Sequence, residues 1–256
     1  MDINKIILED LDEEFLNADI THFRDEWDHY MHEKQYIPRV TQIIHSCQLD
    51  SDSLVIWANK MGLMGKKSEN IRESAAELGT FIHVALEQYV KKGIEPDYDN
   101  LDTDDKTKNK IEIAIKGFKT FWTNYRYRDM VKTISTEKKI ITPYYGGTYD
   151  LMITLKDGRN FLYDFKTTNS VRDSQFLQLA AYNYGLRNYY NTILSGVAIL
   201  KIDKYRPSCK EFFLDFENPN NVMFMNHCEC TFISMLHTYY NLIRTKLEFE
   251  NYLKER

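Results

Sequence analysis

GGTYDLMITLKDGRNFLYDFK, running from Gly146 to Lys166, reads as two short strands joined by a tight turn. Each strand carries one aspartate, Asp150 and Asp164, and a lysine, Lys166, stands two residues past the second. Successive side chains of a strand point to opposite faces, so Asp164 and Lys166 share one face while Phe165 faces the other. An acid and an amine side by side on a strand can hold a metal beside a positioned cation. The triplet alone is equally the mark of a surface salt pair. What it does therefore depends on what the rest of the chain supplies.

The 256 residues fit one large domain or one domain with an elaborated end. No stretch approaches the ~20 apolar residues that span a membrane, so no membrane partner is expected. The opening MDINKIILEDLDEEF is acidic and resembles neither a secretory signal nor an Arg-rich transit peptide. Four cysteines, Cys47, Cys209, Cys228 and Cys230, are few for this length and read as free thiols of a reducing, cytoplasmic compartment. The net charge of −5 disfavours a polyanionic partner, but its distribution does not. Residues 1–35 hold 11 acids and 3 bases, whereas residues 156–206 hold 8 bases and 4 acids. A locally basic region behind an acidic lead is compatible with a phosphate-bearing ligand.

Outward from the hairpin, strand patterns cover Val131–Ile141, Gly147–Leu155 and Asn160–Lys166, and recur over Gly196–Ile202 and Glu211–Phe216. Helical spacing of Ile71, Ala75, Leu78, Ile82, Leu86 and Tyr89 predicts a long helix from about Glu69 to Lys91, stopped by Gly93. A second helix, Thr107 to Arg126, buries Ile111, Ile115, Phe118, Trp122 and Tyr125. Further helices are expected over Arg172–Arg187 and from Pro219 to about Arg256. Before these, residues 2–17 form an acidic amphipathic pattern, and short strands fit between Thr21 and Ile37. Thr41 is expected to cap a helix begun near Val40, and Ser53 another that ends near Gly62. This order predicts an α/β fold with a small mixed sheet between helices and an N-terminal helical elaboration. Residues 1–36 read as an acidic extension and residues 37–256 as the main domain.

Several separated polar residues bear on the Asp-x-Lys pair. His83 and Glu87 lie four apart on the long helix, with the side-chain-free Gly79 one turn before. They make either a ligand with its support or a half-buried histidine bonded to its own helix's glutamate. Gln178 and Tyr182 repeat the spacing on the helix after Lys166, as a site wall or as a polar face packed on the sheet. Glu137, in mid-strand, is ambiguous.

Taken together, GTFIH at 79–83, GGTYD at 146–150, DFK at 164–166 and QLAAY at 178–182 resemble, in order and spacing, a PD-(D/E)XK nuclease of the RecB-like branch. Within it the pattern is most similar to the mitochondrial genome maintenance exonuclease group and its phage and bacterial relatives. Ile37 to Thr41 and the helix bearing Trp57 and Lys60 add to the likeness, which extends over roughly residues 36–250. Two departures are an arginine, Arg39, where that group usually has a small polar residue, and the lack of a transit peptide pattern.

The resemblance implies a restriction-endonuclease-like core and metal-dependent hydrolysis of DNA, by an exonuclease working on single-stranded ends or flaps, with replication or recombination proteins as further partners. It implies His83, Asp150, Asp164 and the carbonyl of Phe165 as ligands of Mg²⁺ or Mn²⁺. Lys166 would act on the attacking water or the developing charge, Glu87 would support His83, and Gln178 and Tyr182 would hold Lys166. Glu137 would be a support on the flanking strand. Thr41, Trp57, Lys60, Thr167, Thr168 and Arg172, with Lys66 and Lys67, are the candidate DNA contacts. An iron–sulfur variant of the branch has one early and three late cysteines. Here Cys228 and Cys230 stand two apart on a predicted helix and face different ways, which argues against a cluster.

The ligand set also constrains the hairpin. Asp150 and Asp164 share a face only if the numbers of directly opposed residues sum to an even value. A two-residue Asp157-Gly158 turn fails that condition. The expected loop is therefore Lys156-Asp157-Gly158, with Gly158 left-handed and Asp150 opposite Asp164.

Overall fold

Five strands form one mixed sheet in the computed structural model, which describes residues 30–33, 35–47, 52–95, 97–98 and 101–254. In chain order the elements are β1 (Tyr30–His32), β2 (Gln35–Ile37), α1 (Val40–Cys47), α2 (Asp52–Leu63), α3 (Ser68–Lys92), α4 (Asp105–Thr123), β3 (Val131–Ile141), β4 (Gly146–Leu155), β5 (Asn160–Lys166), α5 (Asp173–Tyr189), β6 (Gly196–Ile202), β7 (Cys209–Asp215) and α6 (Pro219–Lys254). The sheet order is β3-β4-β5-β6-β7, antiparallel throughout except for β5 and β6. A parallel pair cannot be joined by a hairpin, and α5 supplies the crossover.

Both faces of the sheet are covered, as an α/β pattern requires. On one face α3 and α4 contribute Leu78, Ile82, Leu86, Ile111, Ile115 and Phe118 against Leu151, Ile153, Phe161 and Phe165. On the other, α1, α5 and α6 contribute Ile43, Leu179, Tyr182, Phe232 and Leu236 against Tyr149, Leu162 and Ile199. Local signals set the helix ends. Asp104 caps α4 by accepting the Thr107 amide at 2.7 Å, and Gly93 ends α3 in the left-handed conformation. Among the described residues no helix is long and apolar enough to cross a membrane.

Several boundaries differ from the sequence pattern for identifiable reasons. α1 begins at Val40, so Thr41 lies exposed in its first turn instead of capping it. The Arg39 carbonyl accepts the first helical amide, from Ile43, because the Gly146 amide bonds Pro38 O and pins the chain one step earlier. Ser53 is the second residue of α2 and not its cap. Burial on α3 starts only at Leu78; Ala75 is exposed and Ile71 half-buried, since the first turns of the helix run past the sheet. α5 and β7 are each displaced by one or two residues from the expected spans, and Arg172 stands at the α5 cap. The proposed helix over residues 2–17 lies outside the described residues.

The β4–β5 hairpin has the three-residue loop that the parity argument requires. Leu151 opposes Tyr163 and Thr154 opposes Asn160, the Leu155 amide bonds Arg159 O, and Gly158 takes φ +92°. The ladder itself ends at Leu151–Tyr163, one pair short of the expected opposition of Asp150 and Asp164. Cys47 and Cys228 belong to the α1/α5/α6 layer and Cys209 to the α3/α4 layer, so the sheet separates the cysteines that a single cluster would need together.

Candidate active site

An interruption of the sheet pleat organises the site. Thr136–Leu151 and Lys138–Tyr149 are opposed pairs, so Glu137 on β3 lies across from Asp150 on β4. In an undisturbed strand Tyr149 and Leu151 would share a face. Here Tyr149 packs into the α5 layer and Leu151 into the α3 layer. Glu137 adopts φ +49°, a left-handed conformation unusual for a residue with a side chain, at the point where the faces exchange. Past that point Leu151, Ile153 and Leu155 of β4 pack into the α3 layer while Met152 faces the α5 layer.

Asp150 sits at that exchange and also ends the ladder to β5. Beyond Leu151–Tyr163 its Oδ2 replaces the backbone acceptor and takes the Phe165 amide at 2.5 Å. Its Oδ1 lies 3.2 Å from His83 Nδ1 on α3. The His83 ring rests edge-on to Phe165, 5.8 Å between centroids, and Phe165 packs on Phe118 of α4. Among the described residues the group able to hold a metal is His83, Glu137 and Asp150, with one ligand atom from each within 4.8 Å of the others.

Asp164 and Lys166 share a face of β5 as their spacing predicts. Lys166 Nζ lies 2.7 Å from Asp164 Oδ2, an ion-pair contact without the alignment of a hydrogen bond, and that buried oxygen has no hydrogen-bond partner. The ammonium instead donates to Gln178 Oε1 at 3.1 Å, and Gln178 Nε2 donates to Tyr182 Oη at 2.9 Å. Tyr182 in turn packs on Gly147, where a Cβ would stand 3.0 Å from its Cζ and Oη. The glycine pair is needed twice, because the Tyr30 ring of β1 covers Gly146 while its hydroxyl bonds Thr148 Oγ1 at 2.7 Å.

The ionisation states follow from this crowding. Burial pushes the Asp164 carboxyl up to about 6 against the pull of Lys166, with the Asp150 charge adding a smaller upward push. Partial desolvation and Asp150 push Glu137 up to about 7. Burial alone would raise Asp150, but His83 and Lys166 hold it below the usual carboxylate value. Burial alone would lower His83 and Lys166, yet Asp150 raises the first and Asp164 with Asp150 the second. Three carboxylates converge on one histidine and one lysine, an arrangement a divalent cation would neutralise.

His83, Asp150, Asp164, Lys166, Gln178 and Tyr182 are therefore brought together. Glu87 is not placed as expected: its Oε1 accepts from Lys91 Nζ at 2.5 Å and Thr136 Oγ1 at 3.1 Å, while His83 turns to Asp150. Asp164 faces Lys166 and is outside the His83–Glu137–Asp150 group, where Glu137 takes its place. Glu137, expected only as a support on the flanking strand, is brought into the group by the β3–β4 register. Thr167 faces Gly79 of α3, and Thr168 is bonded within its loop to Ser170 O and Gln175. Arg172 is exposed at the head of α5, where its charge and that of Arg72 lower the already desolvated His45. Thr41 and Lys60 are exposed and Trp57 half-buried on α1 and α2, and Lys66 and Lys67 are exposed between α2 and α3.

No family model matches the chain, and no curated protein matches it. Among solved structures, SSO0001 is similar with a TM-score of 0.39 and 13% identity, over 91% of this chain and 82% of that one. A likeness this distant assigns neither family nor activity. The functional reading rests on the site alone.

Proposed function

We propose that this chain is a metal-dependent deoxyribonuclease with a PD-(D/E)XK core of the RecB-like type, hydrolysing phosphodiester bonds at single-stranded DNA ends or flaps. One observation carries the reading. An Asp-x-Lys strand places a lysine, held by Gln178 and Tyr182, beside a histidine and converging carboxylates. That combination suits hydrolysis of a phosphodiester, because negative charge accumulates on the phosphate as water attacks and a held cation can neutralise it.

The donor set suits a hard divalent cation. His83, Asp150 and Glu137, whose ligand atoms converge, would hold Mg²⁺ or Mn²⁺, the imidazole favouring Mn²⁺, and the family resemblance adds Asp164 and the Phe165 carbonyl from β5. When bound, the ion would polarise the phosphate and lower the pKa of a coordinated water. Asp150 contributes twice, since its second oxygen fixes the Phe165 amide and with it the local path of β5. Lys166 has a raised pKa and keeps its proton at neutral pH, which favours neutralising the developing phosphate charge over deprotonating water. Gln178 and Tyr182 restrict the ammonium to one position, so little reorganisation is needed during reaction. The exposed cations Lys60, Lys66, Lys67 and Arg172 are the candidate phosphate contacts along the strand.

The test is digestion of 5′- and 3′-labelled single- and double-stranded DNA, and of a single-stranded circle, with Mg²⁺, Mn²⁺ or EDTA. Linear single strands should be degraded, the circle spared, and EDTA should stop the reaction. Asp164→Ala and Lys166→Ala should each abolish cleavage with the fold intact. Undiminished cleavage by either variant overturns the reading, and rapid cutting of the circle would make the enzyme an endonuclease.

A further inference from the structure

We infer that the acidic amphipathic segment at residues 2–17 docks on the outer face of α2, covering an apolar and basic surface. That surface is unusual for a short helix. Val55, Ile56, Leu63 and Met64 are 61%, 68%, 83% and 57% exposed within ten residues. Isolated exposed aliphatic residues need no explanation, but a cluster of this kind marks a contact surface. Helical geometry puts Val55, Ile56, Asn59, Lys60 and Leu63 on one side of α2, while Trp57 and Met61 turn partly inward.

Three observations select the occupant. The first is charge: α2 and the loop after it, residues 52–67, carry three lysines and one acid, Asp52, whereas residues 2–17 carry six acids and one lysine. The second is pattern. Ile3, Ile7, Leu11 and Phe15 recur at four-residue spacing, so a helix there would present one apolar stripe edged by acids. The third is reach. Tyr30 is fixed on Gly146, next to where Arg39 leads into α1. The twelve residues 18–29 can span up to about 40 Å when extended. A helix over residues 2–17 would be about 24 Å long against about 18 Å for α2. A second exposed apolar stripe among the described residues, Leu242, Phe249 and Leu253 at the end of α6, has acids and bases in near balance around it and offers no such charge match.

Docking here would place the acids of residues 9–14 over Lys60, Lys66 and Lys67, where they compete with any polyanion approaching from that side. The contact itself is independent of what the site hydrolyses.

Photo-crosslinking of the full chain tests it. A benzophenone amino acid replaces Leu63, which is largely exposed, and the irradiated protein is digested with trypsin and mapped by mass spectrometry. The expected adduct is to the tryptic peptide 6–24, within one molecule, unchanged on tenfold dilution, and reduced at least fivefold by Ile7→Asp with Leu11→Asp. Mixing isotopically light and heavy copies separates the alternatives. Adducts between copies, adducts to α6, no adduct at all, or an adduct indifferent to the two aspartates would each overturn the inference.

Discussion

Replacing Gly147 by alanine tests the packing that holds the lysine in place. A Cβ at this position would lie 3.0 Å from Tyr182 Cζ and Oη and closer still to Cε1. Carbon atoms pack at about 3.5–4.0 Å, so the ring would have to retreat by roughly an ångström. It has nowhere easy to go: Tyr182 is 3% exposed, and its hydroxyl is held by Gln178 at 2.9 Å. Overpacking of a buried site costs about 1–3 kcal/mol. Alanine returns roughly 0.4–1 kcal/mol by restricting the unfolded chain, leaving a net loss of about 1–2 kcal/mol. In a chain of this size that is a Tm decrease of about 2–8 °C. Urea unfolding followed by circular dichroism measures it. In a Tyr182→Ala background the same glycine substitution should cost nothing and return up to about 1 kcal/mol, because the atom it strikes is gone and only the effect on the unfolded chain is left. If Gly147→Ala is neutral in the parent, or costs as much without the tyrosine ring, the reasoning is wrong. Under the proposed function, cleavage should fall further than stability alone explains, since Gln178 and then Lys166 follow the ring.

Other outcomes follow from the same geometry. In EDTA, stability should decline as pH rises from about 5 to 8. Asp164 at about 6 and Glu137 at about 7 keep protons that the unfolded chain, with carboxyls near ~4, has already lost, and the raised His83 adds a loss in the same direction above its unfolded value of ~6.5. Scanning calorimetry should show this slope, and Mn²⁺ should raise Tm more at pH 8 than at pH 5.5; a Tm in EDTA that climbs over this range would contradict the site electrostatics. Gly158→Val should lose about 1–2 kcal/mol in urea titration, because φ +92° is open to glycine and costly for a branched side chain. Asp104→Ala should lower Tm by freeing the Thr107 amide, while Asp104→Asn, which can still accept that bond, should lower it less than half as much in scanning calorimetry.

The sequence by itself determined the strands around Gly146–Lys166, the helices before and after them, and the odd-length loop at Gly158. The strands and helices are local, set by side-chain period and capping chemistry, while the loop followed from a parity condition that the implied ligand set placed on one hairpin. It also marked His83, Asp150, Asp164, Lys166, Gln178 and Tyr182, whose spacing on their elements is visible without knowing how the elements pack. Tertiary structure alone decided which of these touch. Glu87 shares a helix face with His83 but is drawn off by Lys91 and Thr136, a competition that depends on where β3 passes α3. Glu137 reached the metal-competent group through the β3–β4 register and a left-handed backbone that exchanges the strand's faces, and no period in the sequence signals such an exchange. Tyr30, distant in sequence, proved to explain Gly146, because a glycine required for close approach names its partner only when the chain has folded onto it.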